Sequence, residues 1–183
     1  VTSGPGATNT VTGLLTAQMD SIPLIVLTGQ TITPNLGKDA FQEADIFGVT
    51  MPVVKHSYLV KDANDLPKVM KEAFHLATTG RPGPVLIDLP KDVVSAECTA
   101  NFPENTDLPG YEVPMKGNAD DIVRAADIIM ESRRPLLYVG AGAVGSGASK
   151  EVLKLAEKLQ APVTTTLLGL SLIHISEPTR RSV

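Results

Sequence analysis

Three short stretches combine glycines with groups that could hold an anion or a cofactor. They read "TSGPGATNT" (Thr2–Thr10), "GRPGPVLIDLPKD" (Gly80–Asp92) and "LLYVGAGAVGSG" (Leu136–Gly147). Glycine-rich turns let the backbone approach a phosphate closely, and a following helix end offers free N–H groups. A tight turn alone explains the same residues, so each stretch carries two interpretations. In the first stretch, that turn would be capped by Thr8 or Asn9.

The third stretch matches the G-x-G-x-x-G pattern from Gly140 to Gly145, directly after an apolar strand. An NAD site would add an acidic residue about 20 residues further on, to bind the ribose hydroxyls. Residues Thr164–Leu167 contain no acid. The motif therefore favours a plain strand-to-helix turn or a dinucleotide other than NAD, and disfavours NAD.

The second stretch places one cation before a buried strand and one after it. Arg81, between Gly80 and Pro82, could bind a phosphate through two parallel hydrogen bonds. It could equally be a solvated arginine that the helix dipole favours at a helix end. Lys91 follows the strand's carboxyl end, where α/β proteins usually bind ligands. The alternative for Lys91 is a surface lysine paired with Asp92.

The loop "GKDAFQEAD" (Gly37–Asp45) mixes charges, one aromatic residue and one amide. Loops of this kind carry function more often than the elements they connect. The alternative is a solvated connection with Phe41 tucked inward. His56 and His75 are isolated, and no His, Cys, Asp or Glu cluster has the spacing of a metal site.

The composition excludes several classes of protein. Hydrophobic residues make up 43% of the 183 residues and charged residues 20%, a normal globular balance. A single cysteine excludes an internal disulfide framework and a multi-cysteine zinc site. The net charge of -4, without a basic patch, argues against nucleic-acid binding. No apolar run approaches the roughly 20 residues that a membrane span needs.

Two strand-like runs indicate an α/β fold. "IPLIVLTG" (Ile22–Gly29) and "GPVLIDLP" (Gly83–Pro90) are continuously apolar and bounded by Pro and Gly, as in strands buried on both faces of a parallel sheet. Residues 64–79 between them have helical spacing. After residue 118, an amphipathic helix is predicted with Ile122, Ala125, Ala126 and Ile129 on one face, and a second strand–helix–strand unit follows it.

The sequence divides into four segments: an α/β region at 1–95, a proline-rich linker at 96–117, a second α/β region at 118–170, and a tail at 171–183 that fits nothing before it. Because Val1–Thr2 runs straight into a glycine turn, we expect the chain to be a fragment whose first strand is cut. The tail resembles translated adapter sequence, and we expect it to be non-native.

Taken in order, the motifs resemble the large catalytic subunit of acetolactate synthase, a thiamine-diphosphate enzyme. The resemblance covers residues 1 to about 170. It implies parts of two parallel-sheet domains: the end of the pyrimidine-binding domain and the start of a Rossmann-like central domain that binds FAD. The motifs that carry it are "TSGPGATN", "PLIVLTGQ", "KDAFQEADIFGVTMPVVKHSYLV", "GRPGPVLIDLPKDV" and "LLYVGAGA".

The resemblance also assigns roles to residues. It implies that Gln42 lies against thiamine diphosphate, that Phe41 lies near the substrate, and that Lys55 and Lys91 line the substrate channel. It implies FAD contacts at a further set of positions, which are Ser21, Arg81, Gly140, Ala141, Gly142, Thr166 and Leu167. The Mg²⁺ site and the activating glutamate would lie outside this chain, which by itself should be inactive.

The family's reaction condenses pyruvate with a second pyruvate or with 2-oxobutyrate and releases CO2, in branched-chain amino acid biosynthesis. The resemblance implies a cytoplasmic homodimer or homotetramer, with a regulatory small subunit in some members, and no nucleic-acid or membrane partner. Two alternatives stay open. One is another thiamine-diphosphate enzyme, such as glyoxylate carboligase, pyruvate oxidase or sulfoacetaldehyde acetyltransferase. The other is a chain without catalytic activity, either a nucleotide-binding fragment or the product of a broken open reading frame with no function.

Overall fold

A three-stranded parallel sheet organises the first part of the chain in a computed structural model, which describes residues 1–172. Its strands are β1 (Leu24–Gln30), β2 (His56–Leu59) and β3 (Pro84–Pro90), in the spatial order β1-β3-β2. Both pairings are parallel. The predicted α/β class with parallel sheets is therefore confirmed.

Five helices accompany this sheet. Three 3₁₀ turns, at Thr33–Asn35, Met51–Val53 and Ala63–Asp65, complete its regular structure. The helices are α1 (Pro5–Thr8), α2 (Val11–Asp20), α3 (Ile46–Thr50), α4 (Leu66–Thr78) and α5 (Lys91–Ser95).

Two apolar clusters cover the two faces of the sheet. Side chains alternate between faces along a strand, so neighbouring residues of β3 contribute to different clusters. Val85 and Ile87 pack against α4, whereas Leu86 packs against Leu14 of α2 and Ile46 of α3. β3 lies between the other two strands and is the best-buried strand of the sheet, which makes it the frame for everything at the sheet edges.

The residues before the first glycine turn run alongside β1. The Val1 amino group donates to the Leu27 carbonyl oxygen at 2.8 Å, and the Gly29 N–H donates to the Val1 carbonyl oxygen at 2.9 Å. This is the hydrogen-bond pattern of a parallel neighbour. It delivers the Thr2–Gly4 turn to the same edge of the sheet as the carboxyl end of β1.

Contacts divide the chain into two compact units, with the boundary between Val113 and Pro114. Part of the segment predicted as a linker packs on the first unit. Leu108 and Tyr111 lie against the cluster beneath α4, and the Tyr111 hydroxyl donates to the Thr79 carbonyl oxygen at 3.1 Å.

The second unit contains two short parallel strands. Asn118 caps its first helix by accepting hydrogen bonds from the Asp120 and Asp121 amides at 2.9 and 3.2 Å. Its elements are α6 (Ala119–Glu131), β4 (Leu137–Val139), α7 (Ala141–Gly145), α8 (Ser149–Leu159), β5 (Val163–Thr165) and a 3₁₀ turn (Leu167–Leu172), with β4 paired to β5.

The predicted apolar face of α6 is mostly exposed. Ile122 is 59% exposed and Ala125 and Ala126 are also exposed, while Ile129 is half-buried. Strands of three residues each present little surface for a helix to cover. Three of the four residues on the apolar face of α6 are therefore exposed in this structure.

Two further predictions concern the tail of the chain and membrane-spanning helices. The predicted non-native tail, residues 171–183, lies outside the described residues except for its first two positions. Within the described part of the chain, no helix is both long and apolar enough to cross a bilayer.

Candidate functional site

The carboxyl edge of the first sheet holds a shallow groove of about 310 Å³. Chain segments that are far apart in sequence meet there because parallel strands end at the same edge. Lys91 follows β3 directly and lines the groove, so the predicted channel lysine lies where an α/β protein would bind a ligand. The other lining residues are Thr2, Ser3, Gly29, Gln30, Leu89, Val94 and Ser95.

The backbone of Gln42 lies directly against the first glycine turn. A Cβ atom built on Gly4 would come within 2.7 Å of the Gln42 carbonyl oxygen, and Gly4 has a φ of +59°. Gln42 itself has a φ of +55°, a left-handed conformation that costs a non-glycine residue about 1–3 kcal/mol. Such strain persists only where surrounding contacts enforce it. Gln42 is therefore held in place beside the turn.

Phe41, next to Gln42, is 91% exposed. The alternative in which Phe41 is tucked inward is not what the structure shows. An aromatic ring presented to solvent beside a strained amide residue is available to contact another molecule.

Two carboxylates hold the segment from Thr31 to Asp45, which we call the Gln42 loop. Glu43 accepts hydrogen bonds from the Ala40 amide, at 2.8 Å, and from the Gly37 amide. These backbone N–H groups, Ala40's first, hold the pKa of the Glu43 carboxyl below its usual value. Asp92 accepts from the Thr33 hydroxyl at 2.5 Å and from the Thr33 amide at 3.0 Å.

The bond from the Thr33 hydroxyl is the main cause that lowers the pKa of Asp92. Asp92 is thus used to fix the loop, whereas the alternative from sequence was an ion pair with Lys91. Asp92 stands in the first turn of α5, directly after β3, so this contact ties the start of the loop to the end of the central strand.

A third carboxylate, Asp88, is buried in the middle of β3 at 2% exposure. Its oxygens accept from the Thr28 hydroxyl at 2.7 Å and from the Gln30 side-chain amide at 2.9 Å. Burial raises the pKa of Asp88; the Thr28 and Gln30 hydrogen bonds oppose this rise, and the nearby Asp45 carboxylate adds to it. The same Gln30 nitrogen donates to the Ala44 carbonyl oxygen at 2.8 Å.

Sequence reasoning missed Asp88 and Gln30 as site residues. Asp88 stands within a run predicted as a continuously apolar strand, and Gln30 directly follows the other such run, Ile22–Gly29. The signal available in the sequence was the spacing of these polar residues. Thr28 and Gln30 are two residues apart, which places both on one face of a strand, and Asp88 lies in a second strand of the predicted sheet. A shared face follows only once the register is known, and that register places Thr28 opposite Asp88.

Lys55 lies at the opposite, amino edge of the sheet. Its N–H donates to the Pro84 carbonyl oxygen at 2.8 Å, where β3 begins. Its ammonium group donates to the carbonyl oxygens of Leu76 and, at 2.8 Å, of Thr79, at the end of α4. A cation there satisfies free carbonyls and complements the helix dipole. The predicted channel role of Lys55 stays a prediction, while the structure gives the side chain this capping role.

The Lys55 ammonium also donates to the Tyr111 hydroxyl at 3.2 Å. Burial raises the pKa of the Tyr111 phenol, but the hydrogen bonds with Thr79 and Lys55 and the charge of Lys55 together outweigh it, so the pKa is lowered. This contact fastens the segment around Tyr111 to the end of α4.

Ser21 and Arg81, two of the predicted FAD contacts, are hydrogen-bonded to each other. The Arg81 Nε donates to the Ser21 hydroxyl at 2.8 Å, and its Nη2 donates to the carbonyl oxygens of Gln18 and Met19, each at 3.1 Å. Arg81 therefore caps α2, and the interpretation as a dipole-favoured arginine at a helix end is consistent with this geometry. The pair lies at the amino edge because Ser21 precedes β1 and Arg81 precedes β3.

The remaining predicted FAD contacts cluster where β4 and β5 end. Thr166 donates its N–H to the Val139 carbonyl oxygen at 3.0 Å, and a Cβ on Gly140 would lie 3.9 Å from the Thr166 side chain. A Cβ on Gly142 would meet none of the described residues within 4 Å, so the backbone there is open on the side of those residues. The structure thus brings together five of the predicted positions: Gly140, Ala141, Gly142, Thr166 and Leu167.

Metal-binding groups are not gathered in the part of the chain that the structure describes. Residues 1–172 contain no cluster of three or more His, Cys, Asp or Glu side chains able to hold a metal ion.

Two protein-family models match the chain. The N-terminal TPP binding domain of thiamine pyrophosphate enzymes matches residues 1–49, and the central domain of thiamine pyrophosphate enzymes matches residues 122–182. The first match contains the glycine turn at Gly4 and the Gln42 loop. The second contains the glycine turn at Gly140.

Several curated proteins are similar over most of the chain. Acetolactate synthase from Arthrospira platensis is 54% identical over 170 residues, which cover 92% of this chain and 29% of the relative. Acetolactate synthase from Mycobacterium bovis is 50% identical over 168 residues, which cover 92% of this chain and 27% of the relative. The acetolactate synthase large subunit from Buchnera aphidicola subsp. Schizaphis graminum is 49% identical over 172 residues, which cover 93% of this chain and 30% of the relative. The chain therefore spans less than a third of the length of these relatives.

A pair of glycine substitutions tests the contact between Gly4 and Gln42. Gly4 and Gly37 both have positive φ, but a Cβ on Gly37 would meet nothing within 4 Å. Gly37→Ala should lose about 1–2 kcal/mol of unfolding free energy from backbone strain alone. Gly4→Ala should lose at least about 1 kcal/mol more, because its methyl group also collides with the Gln42 backbone. Urea unfolding of both variants measures the difference, and equal losses would contradict the contact.

Proposed function

We propose that the chain is part of an acetolactate synthase large subunit, one of the thiamine pyrophosphate enzymes. That enzyme would condense pyruvate with a second pyruvate or with 2-oxobutyrate and release CO2. The observation that carries the proposal is the 54% identity over 170 residues to an acetolactate synthase. All the relatives described above bear that name, which favours this reaction over those of other thiamine-diphosphate enzymes.

The residues at the carboxyl edge fit a thiamine cofactor. At Gly4, the backbone of the glycine turn lies so close to the backbone of Gln42 that a Cβ would not fit between them. This contact holds Gln42, which has a left-handed φ of +55°. When bound, thiamine diphosphate supplies the carbanion chemistry, and the protein supplies position and electrostatic field. We assign Gln42 to contact that cofactor and exposed Phe41 to pack against the substrate.

Lys91 offers positive charge in the same groove, and the other described residues that line the groove are uncharged. Both proposed substrates are 2-oxo acids with a carboxylate. A lysine ammonium attracts such a group as a point charge. We assign Lys91 to draw the substrate carboxylate toward the groove.

FAD is the second proposed cofactor. In the first unit, Arg81 carries a guanidinium group that can bind phosphate in a bidentate manner, and its bond to Ser21 already fixes its direction. In the second unit, the open backbone at Gly142 suits a close pyrophosphate contact. FAD has no redox step in the net reaction, so its role would be structural.

The rest of the proposed enzyme lies outside this chain. The chain covers 29% of the Arthrospira platensis relative, and we propose that the Mg²⁺ site and the activating glutamate belong to the remainder. We further propose a cytoplasmic homodimer or homotetramer in branched-chain amino acid biosynthesis, with a regulatory small subunit as a possible partner. The 183-residue chain alone would then be inactive.

Acetolactate formation from pyruvate tests the proposed reaction. A full-length protein that contains this chain, supplied with thiamine diphosphate, Mg²⁺ and FAD, should form acetolactate, and the 183-residue chain should not. Product is measured by colour after acid conversion to acetoin. Omission of thiamine diphosphate is the control and should abolish the signal. Absence of product from the full-length protein, or product from the short chain, would contradict the proposal.

An arginine substitution tests the FAD assignment in the same full-length protein. Arg81→Ala should weaken FAD binding by about tenfold or more, because a charge-assisted hydrogen bond is worth about 1.5–3 kcal/mol. Quenching of flavin fluorescence measures the affinity. Arg124→Ala is the matched control, because Arg124 is exposed and, among the residues that the structure describes, pairs only with Asp121, at 3.5 Å. Equal affinities of the two variants for FAD would overturn the assignment.

A further inference from the structure

Within residues 1–172, the buried carboxylate of Asp88 has no cationic hydrogen-bond partner. Its two side-chain partners, Thr28 and Gln30, are both neutral. A buried carboxylate held only by neutral groups is costly compared with an aliphatic side chain. Every other side chain of β3 is aliphatic, from Pro84 to Pro90. Core packing alone therefore gives no reason for an acid at this position.

The two strands bring three polar side chains onto one face. Thr28 is directly opposite Asp88 in the register of β1 and β3, and Gln30 lies two residues further along β1 on the same side. Asp88 Oδ1 accepts from Thr28 at 2.7 Å, and Asp88 Oδ2 accepts from Gln30 Nε2 at 2.9 Å. Each oxygen of the carboxylate thus has its own donor.

These contacts fix the orientation of the Gln30 amide. Its nitrogen carries two hydrogens, and they go to Asp88 and to the Ala44 carbonyl oxygen, the latter at 2.8 Å. Its oxygen accepts from the Thr31 amide at 2.8 Å. A rotation of the amide by 180° would place oxygen against the acceptors of Asp88 and Ala44. Asp88 therefore selects the orientation in which Gln30 can hold Ala44.

Ala44 is two residues from Gln42, and the residue between them is Glu43. Glu43 is itself fastened to the Ala40 amide at 2.8 Å. A fixed Ala44 carbonyl thus sets one end of a short, internally bonded turn that contains Gln42. The far end of the Gln42 loop is fixed separately, through Asp92 and Thr33.

We propose that Asp88 and Gln30 are positioning residues, which order the Gln42 loop before the cofactor arrives. Asp88 orients the Gln30 amide, Gln30 holds the Ala44 carbonyl, and the turn keeps Gln42 beside Gly4. Ordering in advance removes a cost that would otherwise reduce affinity when the ligand binds. That the ligand is thiamine diphosphate rests on the proposed function, whereas the ordering of the loop does not.

Gln30→Met and Thr28→Val separate positioning from stability. Each removes one hydrogen bond to Asp88 and keeps nearly the same side-chain size, but only Gln30 contacts the loop. In the full-length protein, Gln30→Met should raise the thiamine diphosphate concentration needed for half-maximal activity about tenfold, as loss of one ordering hydrogen bond predicts. Thr28→Val should raise it less than about threefold, with a similar loss of thermal stability. Equal changes would overturn the proposal.

Asp88→Asn is the sharper variant, because it removes the buried charge and preserves the shape. The asparagine can still accept from Thr28, but its NH2 group then faces Gln30 and favours the rotated amide, which no longer donates to Ala44. We expect Asp88→Asn to match Gln30→Met in cofactor requirement. A requirement like that of the unsubstituted protein would show that Asp88 does not orient Gln30, and the proposal would fail.

Chymotrypsin cleavage after Phe41 measures loop order without any activity. Phe41 is 91% exposed, so its cleavage rate in the 183-residue chain reports opening of the surrounding backbone. Gln30→Met and Asp88→Asn should each speed cleavage at least about tenfold over Thr28→Val. Equal rates would overturn the positioning role. Faster cleavage combined with a full-length protein that forms no acetolactate would retain that role and overturn only the proposed function.

Discussion

The carboxylate of Asp88, shared between Thr28 and Gln30, is the interaction on which the rest of the site depends. The Asp88 carboxylate joins the central strand to β1 through two hydrogen bonds. Asp88 is only 2% exposed, so water competes little for these hydrogen bonds. It also disfavours alternative registers of β1 against β3, because a shift of one residue would turn Thr28 and Gln30 to the other face. Asp88 and Gln30 thus serve both strand pairing and loop placement, whereas Thr28 serves strand pairing.

Parallel topology gives the two edges of this sheet different chemistry. At the carboxyl edge, Thr2, Ser3 and Lys91 line a groove of about 310 Å³, and Gly4 of the same turn lies against the backbone of Gln42. At the amino edge, Arg81 and Lys55 place positive charge on the free carbonyls that end α2 and α4. The first edge suits a polar ligand and a small acid, whereas the second suits a phosphate group that approaches an already oriented arginine.

Much of this arrangement could be predicted from sequence. Apolar runs bounded by Pro and Gly predict buried parallel strands, and the motifs at Gly4 and Arg81 indicate the family. The direction of the Lys55 side chain could not be predicted, because it depends on which helix end lies nearby after folding. The role of Asp88 could not be predicted either, because a single acid in an apolar strand has meaning only once its partner across the ladder is known.

Amide ¹⁵N relaxation at Phe41, Gln42 and Glu43 tests most directly whether the loop is ordered in advance. The 183-residue chain without cofactor is the sample, and β3 supplies the rigid reference. Our account predicts order parameters of about 0.85 at all three positions, the value of rigid backbone. Values below about 0.6 there, with β3 still rigid, would show a flexible loop and contradict the claim that the Asp88 network fixes Gln42.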